Sequence, residues 1–233
     1  MPYTTTGESA AEMTADLFAS EASSLTLLPL PDAEVRFQHR FYGEAFCTTA
    51  FAELREQIAW QHAQITVFGK RHWQPRLSAV YGDPGISYTY SGLTLPTMPW
   101  ILLLQQIKQD LERATGHCFN SVLLNFYRDQ HDSMGWHNDD EAALGPQPVI
   151  ASLSFGATRE FKLKHKTRTA LQTVRLDLTD GSLLLMAGMT QRCWKHAVDK
   201  TAHAKGPRIN LTFRWSLQSA CAPAHQIPQA GVL

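Results

Sequence analysis

The chain has no excess of charge of either sign: 21 Lys and Arg balance 21 Asp and Glu. That excludes a uniformly basic nucleic-acid binder and leaves room only for a local basic face. No run of about 18 apolar residues occurs, so no transmembrane helix and no membrane partner are expected. The opening MPYTTTGESA has neither a basic n-region nor an apolar h-region, so no secretory signal is expected. Cysteine is scarce. Cys47, Cys118, Cys193 and Cys221 form no C-x-x-C pair, and their spacing matches neither a zinc site nor a disulfide framework. Reduced thiols in a cytoplasmic protein (nuclear if eukaryotic) are the expectation. Internal repeats and low-complexity tracts are missing too. What remains is 233 residues, 44% hydrophobic and 18% charged. This is enough for a sizeable core in one large domain, and it rules out a wholly disordered or collagen-like chain.

The neutral total hides a division. Residues 1–60 hold nine acids against three arginines, a net −6, so the rest carries +6. Arg159, Lys162, Lys164, Lys166, Arg168 and Arg175 face only Glu160 and Asp177, and Lys70, Arg71 and Arg76 form a second basic cluster. Such clusters read either as solvated strand edges or as phosphate-contacting rims.

Residues 1–23 have little periodic pattern and read as a flexible arm, with a helical turn near Ala10–Ala19. Alternation over Glu34–Phe41 predicts a strand. A helix is expected over Ala50–Gln61, capped by Thr48 or Thr49, with Phe51, Leu54 and Ile58 on one face. A second is expected over Pro99–Thr115, with Ile101, Leu104, Ile107 and Leu111 as its stripe and Gly116 at its end. Short strands are expected at Ile65–Phe68, Ser87–Tyr90, Ser121–Tyr127, Val149–Phe155, Glu160–His165, Thr173–Leu178, Ser182–Met186, Cys193–Ala197 and Arg208–Trp215. Helices followed by many short strands point to an α+β fold around a double-sheet barrel or jelly roll.

Three clusters carry chemistry. In Gly135-Trp136-His137-Asn138-Asp139, His and Asp at i and i+2 of an extended segment point the same way. With His196 from a later strand they would form the two-histidine, one-carboxylate facial set that suits Fe(II) and leaves positions open. An isolated H-x-D is weak evidence, and the same ligands can hold zinc in a hydrolase. In Arg208-Ile209-Asn210-Leu211-Thr212-Phe213-Arg214, a strand would put both arginines, Asn210 and Thr212 on one face. Burying two guanidinium groups is costly unless they meet anions, and a dicarboxylate cosubstrate would serve. Asn125 and Tyr127 share a third face.

In this order, Asn125-x-Tyr127, His137-x-Asp139, His196 and Arg208-x-Asn210-x-Thr212-x-Arg214 resemble the AlkB family of Fe(II)/2-oxoglutarate dioxygenases, which repair alkylated nucleobases. Val67-Phe68-Gly69-Lys70, Tyr81-Gly82-Asp83, Tyr88-Thr89-Tyr90-Ser91-Gly92 and Ile150–Gly156 extend the likeness from about Leu28 to Leu217. Around Phe68–Leu95 it is most similar to the animal homologue that prefers double-stranded DNA. The resemblance implies a double-stranded β-helix core with N-terminal helices packed on one sheet and a nucleotide-recognition lid. It implies an arm over residues 1–24, one dioxygenase domain over 25–217 and a tail over 218–233. Within that domain the recognition region would lie near 64–98 and the jelly-roll core near 118–217.

The roles it implies are these. His137, Asp139 and His196 would bind Fe(II), with 2-oxoglutarate and O2 as cosubstrates. Arg208 would pair with the distal carboxylate of 2-oxoglutarate, Asn125 and Tyr127 would hydrogen-bond it, and Arg214 would sit by its metal-proximal carboxylate with Asn210 supporting the strand. Tyr88, Tyr90 and Ser91 would line the pocket for the damaged base, Glu141 would face its edge, and Phe68 would enter the gap left by the flipped nucleotide. The stretch Arg159–Arg168 would grip phosphates. The implied activity is oxidative demethylation of bases such as 1-methyladenine and 3-methylcytosine in single- or double-stranded DNA, by a monomer, with release of formaldehyde. Two other expectations stand beside it: a 2-oxoglutarate oxygenase acting on RNA, protein or a small molecule, and a non-catalytic nucleic-acid-binding module.

Overall fold

Alternation in the second half of the chain is strong enough to be read off strand by strand, and it builds two facing sheets. The computed structural model describes residues 24–67, 70–90 and 93–217. Along the chain come β1 (Thr26–Leu27), β2 (Glu34–Gln38), α1 (Glu44–Gln57), β3 (Gln64–Val67), β4 (Lys70–Trp73), β5 (Leu77–Gly82), β6 (Tyr88–Tyr90), β7 (Leu93–Leu95), β8 (Thr97–Met98) and α2 (Leu102–Thr115). There follow β9 (Ser121–Tyr127), β10 (Met134–His137), a 3-10 turn (Ala142–Leu144), β11 (Ile150–Gly156), β12 (Arg159–His165), β13 (Val174–Leu178), β14 (Leu183–Ala187), α3 (Thr190–Cys193), β15 (Trp194–Val198) and β16 (Arg208–Arg214).

The major sheet has the order β1-β2-β14-β11-β16-β9-β5-β8 and the minor sheet β10-β15-β12-β13; β3-β4 and β6-β7 are separate hairpins. Every pairing is antiparallel except β5 with β8, and the two sheets form the jelly roll of an α+β fold.

The inner strands of the major sheet serve two layers. Ile209, Leu211 and Phe213 of β16 and Leu153 and Phe155 of β11 are fully buried against α1 and α2, together with Leu104, Ile107 and Leu111. Burying each such side chain contributes roughly 1.5–3 kcal/mol. The alternate residues face the minor sheet. There Ile150, Leu184 and Met186 meet Phe161, Leu163, Leu178 and Trp194 in a second apolar cluster.

Helix α2 buries Leu104, Ile107 and Leu111 as its stripe predicts, but starts three residues later than Pro99, at Leu102, with Ile101 extended ahead of it. It is closed by Gly116 at φ 73°, whose N–H donates to the carbonyl of Glu112. Helix α1 departs from expectation. It starts six residues earlier than Ala50, at Glu44 behind Gly43, and ends at Gln57. The buried face is Cys47, Ala50 and Leu54, and Thr49 turns its hydroxyl to the carbonyl of Ala45 inside the helix instead of capping it. Strands β1, β4, β5, β7 and β8 were not expected from the pattern, and β10 covers only the first part of the extended segment expected over Gly135–Asp139. The run LSAVYG of β5 is buried at nearly every residue, which erases alternation. Among the described residues no helix is long and apolar enough to cross a membrane. The expected helical turn near Ala10–Ala19 lies outside the described residues.

Candidate metal centre and cosubstrate cavity

Register brings the two distant histidines together. β10 pairs with β15 so that His137 lies directly opposite His196, and opposed residues share a face. Their ring centroids are 4.2 Å apart, with Phe161 stacked on His196 at 5.2 Å. Asp139 reaches the same point by a different route than the period-two argument supposes. β10 ends at His137, so Asp139 has no ladder partner. Its N–H donates to Gln191 Oε1 at 2.9 Å, and its Oδ1 accepts from Arg214 Nη2 at 2.6 Å. One ligand atom from each of His137, Asp139 and His196 then lies within 4.8 Å of the others.

The protonation states suit a cation. His137 Nδ1 lies 2.8 Å from the Gly135 carbonyl, and donating there leaves Nε2 with its lone pair toward the site. Burial lowers the pKa of His137, and the nearby guanidinium groups of Arg76 and Arg214 act in the same direction. Burial also pushes His196 down to about 3, so both rings are neutral. For Asp139, burial raises the pKa, but Arg214, His196 and His137 together outweigh it and hold the carboxyl below its ordinary range. Two neutral imidazoles and one carboxylate are the ligand set that suits ferrous iron.

The ligands open into a cavity of about 540 Å³ between the sheets. Its other wall is β16 and β9, and alternation holds: Arg208, Asn210, Thr212 and Arg214 line it, with Asn125 and Tyr127. Arg208 is 1% exposed. Its Nη2 donates to Ser154 Oγ at 2.9 Å and the Tyr127 side chain lies close by, while among the described residues Nε and Nη1 are buried with no hydrogen-bond partner of good geometry. Burial lowers its pKa to about 10, and its guanidinium lies over the Tyr127 ring at 5.1 Å. A buried cation with two unanswered donors fits a cosubstrate carboxylate. Asn210 lies in the wall, but its Nδ2 donates to Ser152 Oγ at 2.9 Å and to the Leu153 carbonyl at 3.0 Å, so the amide works inside the sheet. The Oδ1 of Asn125 is likewise engaged, accepting from Arg76 Nε at 2.8 Å and from Ser78 Oγ at 3.2 Å.

Four residues absent from the expected site belong to this shell. Ser152 and Ser154 alternate with Ala151, Leu153 and Phe155, a polar period that the sequence displays. Gln191 follows no local pattern. Arg76 belongs to the basic cluster read either as a solvated strand edge or as a phosphate-contacting rim. It is instead 5% exposed, just before β5, and donates to Asn125 Oδ1 and to the carbonyl of Ser133.

A second cavity, of about 340 Å³, adjoins the first, and Arg214 lines both. Glu141 points into it with both carboxylate oxygens buried and without a hydrogen-bond partner, and burial raises its pKa. Tyr88 and Tyr90 sit on β6, paired with β7 through Tyr88↔Leu95 and Tyr90↔Leu93. Phe68 and Ser91 lie outside the described residues.

The phosphate-gripping stretch needs correction. Arg159–His165 is strand β12, one residue longer than the strand expected over Glu160–His165. Arg159 is 2% exposed and donates to the carbonyls of Asp129, Asp132 and Asp199, since a buried guanidinium must satisfy its donors. Lys162 pairs with Asp199 at 2.8 Å, Arg168 with Asp32 at 2.7 Å, and Arg175 with Glu160 at 2.7 Å. Lys166 donates to the Gln191 carbonyl. Of that stretch only Lys164 is both exposed and without an ion pair.

Comparison with known proteins agrees with this geometry. Residues 34–214 match the family model described as the 2OG-Fe(II) oxygenase superfamily. The chain is 42% identical over 182 residues to mouse DNA oxidative demethylase ALKBH2, covering 74% of this chain and 76% of that protein. The chain is an AlkB-type 2OG-Fe(II) oxygenase. Fe(II) as metal and 2-oxoglutarate and O2 as cosubstrates come with this family and agree with the donor set. The AlkB-type chain is also 49% identical over 170 residues to mouse alpha-ketoglutarate-dependent dioxygenase alkB homolog 3, covering 70% of this chain and 59% of that protein. The solved structure of OsALKBH1 superposes with a TM-score of 0.58 at 18% identity, over 81% of this chain and 99% of that one, which supports the fold.

Proposed function

We propose that this AlkB-type oxygenase oxidatively demethylates N-alkylated bases in DNA. The observation that carries the reading is a juxtaposition. The unanswered Arg208 donors and the His137–Asp139–His196 set face one cavity, inside a segment alike to a DNA oxidative demethylase. In this reading His137, Asp139 and His196 hold iron. Arg208 pairs with the far carboxylate of 2-oxoglutarate, the Tyr127 phenol and the Asn125 amide N–H donate to it, and Asn210 keeps β16 in register. Arg214 fixes Asp139 and separates the cosubstrate from the substrate.

The damaged base would enter the second cavity beside Glu141, between Tyr88, Tyr90 and Ser91, with Phe68 filling the space it leaves. A base within a duplex cannot reach the metal, so extrusion costs a few kcal/mol, least where alkylation has already broken pairing. Aromatic stacking, worth roughly 1–3 kcal/mol per base, offsets part of it. When bound, the iron centre supplies two-electron oxidation of the N-linked methyl at the expense of 2-oxoglutarate and O2, with succinate, CO2 and formaldehyde as products. The protein's part is to exclude water, align the methyl and keep both imidazoles unprotonated. Purified protein with Fe(II), 2-oxoglutarate and an oligonucleotide carrying 1-methyladenine is expected to release formaldehyde. No turnover by fully metal-loaded protein on single- or double-stranded DNA would refute the assignment and point to RNA, protein or a small molecule.

A further inference from the structure

The outer face of the minor sheet carries an unexplained arrangement. Lys164 of β12 lies directly opposite Lys195 of β15 in register. Both are exposed, and neither has an ion pair among the described residues. Like charges directly opposed across a ladder are destabilising. The other cations of this face are neutralised: Lys162 by Asp199 and Glu160, Arg175 by Glu160. The unpaired positive charge is therefore confined to one cross-strand row.

That row is placed by the metal site. Lys195 precedes His196, and Trp136 precedes His137, so the neighbours of the two cavity-facing imidazoles turn to the outside. Trp136 is 44% exposed on the edge strand, between the pairs Met134↔Val198 and His137↔His196, so it lies nearest Ala197 and diagonal to Lys195. Neighbouring strands are about 4.8 Å apart, so Lys164 and Lys195 form one row and Trp136 stands diagonally beyond it on the third strand. An aromatic ring followed by two unneutralised ammonium groups is complementary to an unpaired base followed by phosphates.

We propose that this face binds the single strand flanking the damaged nucleotide, with Trp136 stacking an unpaired base and Lys164 and Lys195 contacting phosphates. The inference rests on the nucleic-acid reading of the cavity and names a contact outside it. A duplex keeps its bases paired and offers Trp136 nothing to stack on, so the face favours single-stranded substrate.

Two assays test it. In the first, anisotropy of an unmodified single-stranded oligonucleotide reads binding without turnover. The double variant Lys164→Glu/Lys195→Glu is expected to flatten the slope of log affinity against log salt by about 1.4, two contacts' worth on a single strand. In the second, formaldehyde release is compared between a methylated trinucleotide and a long methylated strand. Trp136→Ala is expected to raise KM for the long strand roughly fivefold or more. It should spare kcat, the trinucleotide and duplex substrate, and Trp136→Phe should restore the wild-type KM. An unchanged salt slope in the lysine variant would overturn the proposal. So would loss of trinucleotide kcat in Trp136→Ala, which would mean the ring only props His137. A wild-type protein that binds the strand through these residues but never turns over methylated DNA defeats the functional reading; active wild-type protein with unmoved variants defeats only this surface.

Discussion

The two walls of the cavity are built by opposite rules. The major sheet is covered by α1 and α2 on one side and by the minor sheet on the other, and all seven residues of β16 are buried. The minor sheet keeps one face wet, and β12 alternates between buried and exposed positions. In the covered wall Arg208 and Arg214 lose their hydration, so their charge has to be met by other groups: Asp139 bonds Arg214, and a cosubstrate carboxylate is proposed for Arg208. The wet wall supplies the two histidines of the clustered set and turns their neighbours outward. The proposed division of labour follows from burial: cosubstrate recognition where charge is expensive, metal ligation on the strand that pairs at the sheet edge.

Substitutions in each wall test that division. The largest effect is expected from His196→Ala, which should abolish iron binding in an anaerobic titration and reduce activity well beyond the 10–100-fold typical of losing an outer partner. Next, Leu111→Ala beneath the covered wall should cost about 2–5 kcal/mol in denaturant unfolding, whereas Arg175→Ala on the wet face should fall within about 0.5 kcal/mol. Comparable costs would show that the walls are not differently built. Arg208→Ala removes a charge-assisted contact worth about 1.5–3 kcal/mol and should raise KM for 2-oxoglutarate about 10–150-fold, while iron affinity changes little. Gln191→Leu is expected to do the reverse. It should weaken iron at least about tenfold by stranding the Asp139 N–H, with Gln191→Glu retaining the acceptor and most of the affinity.

The smallest effect concerns acid. Burial raises the pKa of Asp132, but its bonds from Arg128 outweigh that and bring it below the ordinary value. A depressed folded pKa means that the pair's stabilisation is present above the unfolded carboxyl pKa, near 3.9, and is lost as pH falls through the lower folded value. Asp132→Asn should therefore lower stability at neutral pH by about 1–3 kcal/mol and leave a smaller difference below pH 3.

Legibility in the sequence followed polar periodicity, even inside the covered wall. Strands carrying a polar row were visible: β9 has the expected bounds, and β16 ends one residue short of its own. Where burial is two-sided and no polar row runs, as in β5, no period survives. Helix α2 could be read because its stripe and Gly116 agree, whereas α1 begins behind a glycine and carries two threonines that imitate a cap. The clustering of His137, Asp139 and His196 was readable by type and order, but not the means by which Asp139 is held. Gln191 comes from a four-residue helix 52 positions away, and no local spacing records such a partnership. Basic residues misled for a related reason. Composition counts charges, while only tertiary contacts reveal that Arg76 and Arg159 are interior braces.

The unanswered donors of Arg208 have a consequence for the lifetime of the protein. A ligand that binds only the native state adds RT ln(1 + [L]/Kd) to its stability, about 2.7 kcal/mol at a hundredfold excess over Kd. A carboxylate that quiets a desolvated guanidinium is such a ligand. The fold is thus at its weakest when starved of its organic acid. Heat resistance and survival against proteolysis should rise with 2-oxoglutarate even where no damaged base is present, tying the persistence of the enzyme to the supply of the compound it consumes.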